Sequence, residues 1–519
     1  MIRRRPLLTT LLASTGASFE AAALTDLGGM ALPVKQDDTV APGYRRDVLV
    51  RWGDRVTFDA PGWTPATPTA EGAAAQFGWD ARVAAIAVPQ QQAADGVPRA
   101  VLAVAHPAVD PAMAWPSPGA VTDRPAVAVA MQGASLLNLE KQRGRWVVVD
   151  GGYQSRRLGG GTLCRLSGPA AGAGSVQGVL GPTGGSGTPW GTLLLTEGDA
   201  APWLARLRGL DGRFAESAGF GWVLEVDPFD PQSVPVKRTA LGRFAHGDAA
   251  ATLSRDGRAV VYLTERRVGG HLFRFVSAGP ATQPDALDTG VLAVARLQDE
   301  QVRWLPLPAG AATALDPAAA ARQAGGSPLD TPSGLGLDPT RPRLLLACHG
   351  SPTRPSGHVI EISAAGGDDG AAAATALLLF AAGTPQSGGR YGPAGLPPGS
   401  AWPENPDTVV VDGGGRAWIG TDRGGRVGVQ AEGLYAVDLD GPRRGVPLPI
   451  YGAPRGGSIG GAAVTPDGEA MFVAVRHPGA EPGARYERPA TRWPAFEAGT
   501  PPRTTLVGLV RVAGGAVGG

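Results

Sequence analysis

Short apolar runs separated by tight turns dominate the pattern of hydrophobic and polar positions. The segments 48–52, 83–88 and 100–105 are apolar and end at glycine, proline or polar residues. Short apolar runs bounded by turn residues predict β-strands rather than helices. Helical composition after the N-terminus is confined to the alanine-rich stretch 309–323, where Pro317 limits any helix to a short one. The pattern therefore predicts an all-β protein.

One hairpin pattern recurs along the second half of the chain. In each copy a polar turn follows one apolar strand and leads into another, and the turns lie at 254–258, 338–343, 411–416 and 465–469. The copies are spaced irregularly, because Pro/Gly-rich insertions lie at 279–288, 383–406 and 477–504. Repeated strand units with variable loops are typical of propeller blades, whereas a sandwich would show closer, more regular strands. We predict a six-bladed β-propeller with long Pro/Gly-rich loop insertions.

Composition fits this prediction. The chain of 519 residues exceeds the usual size of a single core, but a propeller adds a layer with each blade, so residues 24–519 are predicted to form one domain. With 78 glycines, 48 prolines and 43% apolar residues, the chain combines many turns with many buried positions. A net charge of +1, without a basic stretch beyond the N-terminus, argues against nucleic acid as a partner. No apolar stretch is long enough to span a bilayer, and we expect a monomer.

The N-terminus has the layout of an export signal. Arg3, Arg4 and Arg5 precede the apolar stretch 7–13 and small residues at 14–18. A basic segment before an apolar one is typical of a signal peptide, and consecutive arginines indicate the twin-arginine route. We predict such a signal at residues 1–23 and a periplasmic or secreted protein; the alternative is an uncleaved N-terminus.

Candidate chemistry lies where strands end, because polar residues at these points face the central channel of a propeller. The channel-lining candidates are His106, His246, Asp248 and Glu265. The glycine-rich segment 181–187 lacks the Lys-Ser/Thr that a phosphate-binding loop requires, so we interpret it as a turn. The two cysteines, Cys164 and Cys348, form no zinc-binding pattern.

Several long segments resemble the PhoX-type alkaline phosphatase family. The strongest begins Gly-Trp-Val-Leu-Glu-Val-Asp-Pro-Phe-Asp-Pro at residue 221 and continues to residue 246; others lie at 50–54, 164–170, 188–192 and 465–479. The resemblance extends from about residue 40 to 515 and keeps the order of the motifs. It implies a six-bladed propeller, twin-arginine export and hydrolysis of phosphomonoesters. It also implies a cluster of calcium and iron ions in the channel, which would anchor phosphate and supply the nucleophile.

The resemblance assigns four residues of this chain to the metal cluster. Cys164 matches an iron-binding thiolate, and Glu197 matches the first of two adjacent glutamates. Asp407 and Asp422 stand where the family has acids. The catalytic residue itself is not identified.

Other positions depart from the family pattern. The second glutamate is replaced by Gly198, an acidic pair reads Glu265-Arg266, an Arg-Pro-Glu segment reads Thr331-Pro332-Ser333, and a late glutamate is replaced near Ser458. These changes remove charge from the channel, and hard cations bind poorly without carboxylates. A complete cluster is therefore not expected.

Three hypotheses follow. The first is a phosphoric monoester hydrolase with a reduced metal site and a small phosphorylated substrate. The second is a non-catalytic propeller, a scaffold or binding protein with a degenerate metal site, and hence a pseudoenzyme without bound metals. The third is an enzyme of other chemistry, such as lactone or ester hydrolysis with one calcium ion.

Overall fold

A computed structural model describes residues 29–91, 94–116, 124–385 and 396–518. The predicted export signal at 1–23 lies outside the described residues. The strands are β1 (Thr39–Val40), β2 (Tyr44–Arg51), β3 (Arg82–Ala87), β4 (Arg99–His106), β5 (Gly133–Gln142), β6 (Arg145–Val148), β7 (Arg156–Leu158), β8 (Leu163–Ser167), β9 (Ser175–Gln177), β10 (Pro182–Gly187), β11 (Leu193–Glu197), β12 (Val223–Val226), β13 (Val236–Arg238), β14 (His246–Leu253), β15 (Arg258–Glu265), β16 (Val268–Gly270), β17 (Leu272–Pro280), β18 (Gly290–Gln298), β19 (Gln301–Pro306), β20 (Leu329–Asp330), β21 (Pro332–Leu337), β22 (Arg343–Cys348), β23 (His358–Ala364), β24 (Ala373–Ala381), β25 (Pro406–Val411), β26 (Arg416–Thr421), β27 (Gly433–Asp438), β28 (Pro447–Gly452), β29 (Ser458–Val464), β30 (Ala470–Arg476) and β31 (Thr505–Arg511).

Helices are short and lie in the connections. They are α1 (Ala70–Ala75), α2 (Pro111–Ala114), α3 (Pro125–Met131), α4 (Ala201–Leu207), α5 (Ala311–Leu315) and α6 (Pro317–Ala324), with 3-10 turns at Gly212–Phe214, Ser217–Gly219, Thr239–Leu241 and Ala365–Gly367. The predicted alanine-rich stretch forms α5 and α6, and Pro317 begins α6, where its missing N–H is not needed. The sequence pattern did not predict α1 to α4, which are too short to give a helical period. None of the helices in the described ranges is both long and apolar enough to cross a bilayer.

Six β-sheet blades surround one axis, which confirms the predicted fold. The innermost strands are β3, β10, β14, β21, β25 and β29, and each packs against the next until β29 meets β3. The remaining strands lie outward of these, mostly as antiparallel hairpins. All four hairpins predicted from the sequence are present, as β14–β15, β21–β22, β25–β26 and β29–β30.

The ring is closed by N-terminal strands that join C-terminal blades. Strand β2 pairs with β31 along most of its length, with Val48 opposite Val507. Strand β1 pairs with β28, with Thr39 opposite Gly452. Apolar side chains fill the spaces between neighbouring blades; the set around Trp418 and Tyr435, for example, draws residues from both C-terminal blades.

Each inner strand carries a β-bulge or other register irregularity. The shifts lie at Val83/Ala85, Pro182/Gly184, His246/Ala249, Pro332/Leu335, Pro406/Thr408 and Ile459/Ala462. A bulge bends the strand and changes the direction of its side chains. Because all six lie in the first half of an inner strand, they form a ring of irregular backbone around one end of the axis.

The segment 181–187 is not the turn that we predicted from its glycines. It contains β10, the innermost strand of its blade. A Cβ atom at Gly184 would lie 2.5 Å from Oδ1 of Asp248, and Gly185 has a φ of +146° with no room for a side chain beside Leu194. The glycines are therefore required by close packing at the axis.

Candidate functional site at the propeller hub

Charged side chains converge where the bulged inner strands meet the axis. We call this set the hub and define it as Asp80, Arg82, Asp248, Arg266, Ser333, Asp407, Asp422 and Arg476. Some come from the inner strands or the residues before them, and others from the ends of the second strands of blades. Residues distant in sequence thus meet because the ring is closed.

Asp407 connects its own blade to three others. Its Oδ2 atom accepts a hydrogen bond from Arg82 at 2.7 Å, and its Oδ1 atom lies 2.9 Å from Nη2 of Arg266 and 2.5 Å from the Ser333 hydroxyl. Burial alone would raise the pKa of this carboxyl, but Arg266 and Arg82 lower it well below its usual range. Asp407 is therefore a permanently ionised, fully engaged carboxylate.

Arg476, the last residue of β30, bridges two further carboxylates. Its Nε and Nη2 atoms donate to both oxygens of Asp80 at 2.9 and 2.8 Å, and Nη1 donates to the carboxylate of Asp422. A bidentate contact of this kind is among the strongest ion pairs in proteins. Although burial alone would raise it, the pKa of Asp80 is lowered to about 2, chiefly by Arg476.

Asp248 differs from the other hub acids because, among the described residues, only backbone N–H groups donate to it. Its Oδ1 atom accepts from Gly185 and Ala249 at 2.8 and 2.9 Å, and Oδ2 accepts from Leu335 at 3.0 Å. Burial raises the pKa of Asp248 to about 6 in spite of these bonds. Its three partners join three neighbouring blades.

The hub is close to electrically neutral. Three guanidinium groups, from Arg82, Arg266 and Arg476, face three ionised carboxylates, from Asp80, Asp407 and Asp422. Asp248 alone titrates near pH 6. The hub therefore has little excess negative charge to attract a multivalent cation.

The structure separates the four residues predicted to bind metal into two pairs. Asp407 and Asp422 belong to the hub, whereas Cys164 and Glu197 lie within the blade that contains β8 and β11. Glu197 accepts from Leu180 N–H and Lys237 Nζ at 2.9 Å on one oxygen. Its other oxygen accepts from the N–H groups of residues 221 and 222 at 3.0 and 3.1 Å. Four donors thus satisfy this carboxylate.

Cys164 packs among apolar side chains of its own and the preceding blade, including Leu136, Val179 and Leu195. Burial raises the pKa of its thiol to about 12, which favours the neutral thiol over the thiolate that a metal requires. Cys164 and Cys348 are both buried and free.

The described residues do not fit the metal cluster that the family resemblance implies. Within the described ranges, no three His, Cys, Asp or Glu side chains are arranged to share an ion. Calcium needs six to eight oxygen ligands, yet each hub carboxylate is already bound by arginine or by N–H groups. A multivalent ion would have to displace arginines that repel it.

The other channel-lining candidates are buried beside the hub. His106 contacts the backbone oxygen of Asp80 and the Ser135 hydroxyl, and burial keeps its pKa well below its usual value. His246 donates to the Gly242 carbonyl at 3.2 Å, and burial lowers its pKa to about 3.

Glu265 contacts Arg267 and, at 2.8 Å, Nδ1 of His271. Burial alone would raise the pKa of Glu265, but these hydrogen bonds bring it below its usual value. Its carboxylate is thus engaged by the side chains of Arg267 and His271.

Sequence reasoning missed Asp80 and Arg82. It considered polar residues that follow apolar strands, whereas these two lie just before and at the start of β3. The signal was a charged residue on each side of Ala81 immediately before the apolar run 83–88. In a propeller, the start of an inner strand and the end of the strand paired with it lie at the same end of the axis, so polar residues at either point can reach the hub.

A small cavity opens beside the hub, next to Asp422. We call it the mouth cavity; two glycine-rich segments, 423–430 and 454–457, line it together with Asp422, Ser458 and His477. His477 has a φ of +29°, lies 3.3 Å from the Ser458 hydroxyl and stacks on the ring of Trp79. A non-glycine residue held at positive φ is strained, and such residues cluster at functional sites.

Three arginines also line the mouth cavity. Arg423 contacts Glu404 and Glu432, and Arg455 binds Glu481 through both oxygens at 2.8 and 2.9 Å. Arg426 instead contacts the carbonyl of residue 423 at 3.0 Å and the side-chain oxygen of residue 405 at 3.3 Å. Its guanidinium therefore reaches the cavity without a carboxylate among these contacts.

A family model and one solved structure among the comparisons with known proteins agree with the fold. The family model described as alkaline phosphatase PhoX matches residues 27–479. The structure is similar to Pseudomonas fluorescens PhoX in complex with vanadate, a transition state analogue, with 26% identity, 95% of this chain and 99% of that chain covered, and a TM-score of 0.83. A Xanthomonas campestris gluconolactonase matches with 12% identity, 93% and 97% coverage and a TM-score of 0.31. A search of curated protein sequences gave no significant match.

Proposed function

Because the chain belongs to the PhoX family of alkaline phosphatases, we propose that it binds a small phosphorylated molecule at the mouth cavity without hydrolysing it through metal ions. One observation carries this proposal: every hub carboxylate is engaged by an arginine or by backbone N–H groups. The proposal is the second of the three hypotheses from the sequence, a binding protein with a degenerate metal site.

The lining of the mouth cavity supports a phosphate ligand. Guanidinium groups recognise phosphate through paired hydrogen bonds, and among the described residues Arg426 has no ion pair with a carboxylate. Gly425 and Gly456, which line the cavity, have positive φ values of 77° and 72°. Such backbone lets N–H groups approach an anion closely. Ser458 and His477 add a hydroxyl and a ring nitrogen at the hub side of the cavity.

The proposal includes the properties that the family resemblance implied. We propose export through the predicted signal at residues 1–23, a periplasmic or secreted location, a single domain over residues 24–519 and a monomer. Calcium and iron, the cofactors expected from the resemblance, are not part of the proposed site.

Binding is tested by titrating the purified protein with inorganic phosphate and with p-nitrophenyl phosphate in a calorimeter. We expect saturable binding, weakened about tenfold or more in Arg426→Gln, because a charge-assisted contact contributes about 1.5–3 kcal/mol. Arg341→Gln is the matched control, since Arg341 is 60% exposed and pairs with Asp440 outside the cavity. Absence of binding, or equal weakening in the two variants, would contradict the proposed ligand.

Hydrolysis is tested separately. We expect no turnover of p-nitrophenyl phosphate above background, with or without added calcium and ferric iron, under conditions in which Pseudomonas fluorescens PhoX is assayed as the positive control. Metal-dependent turnover would overturn the non-catalytic part of the proposal and restore the reduced-site hydrolase. Turnover with calcium alone on a lactone or carboxylic ester would favour the third hypothesis.

A further inference from the structure

Arg476 lies among three carboxylates from different parts of the ring. It contacts Asp80 and Asp422 directly. Burial alone would lower its pKa, but Asp80, Asp422 and Asp407 together raise it above the usual arginine value. Its side chain is 10% exposed and those of Asp80 and Asp422 are 0% and 6% exposed, so these charges have been withdrawn from water together.

Three buried carboxylates without a cation would be strongly unfavourable, because burying charge costs several kcal/mol per ion unless it is compensated. In this chain the compensating cation is the Arg476 guanidinium, which is covalently part of the protein. The guanidinium is planar and always charged, and its fork matches both oxygens of Asp80 at 2.8–2.9 Å. It needs no metal uptake, and a chelator cannot remove it.

We infer that Arg476, supported by Arg82 and Arg266, is a built-in cation that takes the place of metal ions in closing the hub. The ion pairs join the segment before β3 to the ends of β26 and β30, and β25 to β3 and β15. These are contacts between blades, and they crosslink the ring as a metal ion shared between blades would. The disagreement between this chain and the metal cluster of its family is thus a substitution of arginine for metal rather than a simple loss.

The inference has a direct consequence for the wild-type protein, independent of any ligand of the mouth cavity. We expect the purified protein to contain no stoichiometric calcium or iron by mass spectrometry. Its melting temperature should be the same in EDTA and in calcium chloride. A drop in melting temperature on chelation, or a stoichiometric hub metal, would overturn the inference.

The sharper test removes the cation and offers a metal in its place. Arg476→Gln leaves Asp80 and Asp422 without the guanidinium that they share, and we expect this variant to gain calcium binding. Protein sites of modest affinity bind calcium at about 10⁻⁴–10⁻³ M. In about 10 mM calcium chloride the melting temperature of the variant should therefore rise by about 2–5 °C over its value in EDTA.

Arg476→Lys is the matched control. It keeps a positive charge but loses the bidentate fork, so it should be less stable than wild type and show no calcium response. If Arg476→Gln does not fold in either buffer, Arg266→Gln serves as the second variant, because Arg266 is 26% exposed and its loss is milder. A calcium response that is equal in the Gln and Lys variants, or absent from both Gln variants, would contradict the inference.

Discussion

Two regions of this propeller hold buried carboxylates next to cations, and they do so in different ways. In the blade that contains β11 and β13, Glu197 and Lys237 pair with side-chain exposures of 0%, and the four donors to the Glu197 carboxylate named above lie in the segment 180–237. At the hub, Asp407 is held by side chains from three other blades, and Arg266 remains 26% exposed. The Glu197 network lies within one blade and is shielded from water. The hub network connects blades and is partly accessible to water.

Carboxylate–cation pairs in these two regions should contribute differently to stability. A buried ion pair within one blade must form as that blade folds, and its loss leaves a charge that water cannot reach. A pair at the axis forms only when the ring closes, and water can reach part of it. Loss of the Glu197–Lys237 pair should therefore lower the unfolding free energy more than loss of a hub pair. Substitutions at the hub should have the larger effect on calcium binding.

The largest effect is expected for Lys237→Met. The substitution keeps an apolar side chain but removes the ammonium, which pairs with Glu197 and lies 4.5 Å from the centre of the Phe220 ring. Breaking a buried pair costs about 3–5 kcal/mol of unfolding free energy, measured by urea denaturation. Lys141→Met is the control, because Lys141 pairs with Asp467 and Glu469 near the surface and should cost less than about 1 kcal/mol. Equal losses of unfolding free energy in Lys237→Met and Lys141→Met would show that burial of the Glu197–Lys237 pair does not increase its contribution to stability.

Asp407→Asn should have a smaller effect, although it removes a carboxylate with two arginine neighbours. We expect a loss of about 2 kcal/mol, because Arg266 can turn towards water while Arg82 stays buried with a neutral partner. Asp440→Asn is the control, because the Asp440 side chain is 47% exposed in its ion pair with Arg341. This variant should change the unfolding free energy by less than about 0.5 kcal/mol. A loss in Asp407→Asn as large as that in Lys237→Met would show that the hub is as dry as the blade.

The third prediction concerns pH and Asp248. Its pKa is about 6 in the folded protein and about 3.9 in an unfolded chain, so between these values the folded state binds more protons. Its contribution to stability is therefore greatest at acid pH and is lost as pH rises through about 6, with a slope of at most about 1.4 kcal/mol per pH unit. Asp80, whose pKa is lowered to about 2, acts in the opposite sense and at lower pH.

Asp248→Asn should flatten this slope, although its amide nitrogen would oppose the N–H group of Leu335 and lower stability at every pH. The measurement is the difference in unfolding free energy between pH 4.5 and pH 7 in the variant and in wild type. Asp256→Asn, on an exposed turn, should leave the slope between these two pH values unchanged. An unaltered slope in Asp248→Asn would mean that Asp248 is ionised throughout.

The architecture could be predicted from sequence because it depends on repeated local signals. The hairpin turns at 254–258 and 465–469 carry their own turn residues, and apolar strands flank them. The segment 181–187 was misread for the opposite reason. Its glycines serve close packing against Asp248 and Leu194, which come from elsewhere in the fold.

The hub was only partly predictable. Asp422 and Arg476 could be recognised because they stand at strand ends, where a propeller directs polar residues to its axis. The pairing of Asp407 with Arg82 joins residues 325 positions apart, and no local pattern encodes it. The family resemblance predicts that carboxylates are missing, but it could not predict that arginines neutralise those that remain.

The smallest effect on stability is expected for a substitution of Cys164. It tests whether the blade that contains Glu197 is shielded from water and free of metal. Cys164→Ala should cost about 1 kcal/mol, since it removes one buried atom from close packing, and should leave the metal content of the protein unchanged. In Cys348→Ala, Cys164 is the remaining cysteine, and with a pKa of about 12 it should not react with a thiol reagent at pH 8 until urea unfolds the chain. Rapid reaction in the folded state, or loss of iron in Cys164→Ala, would mean that the thiolate forms. The blade would then be a metal site, and the dry network around Glu197 would have to open to provide it.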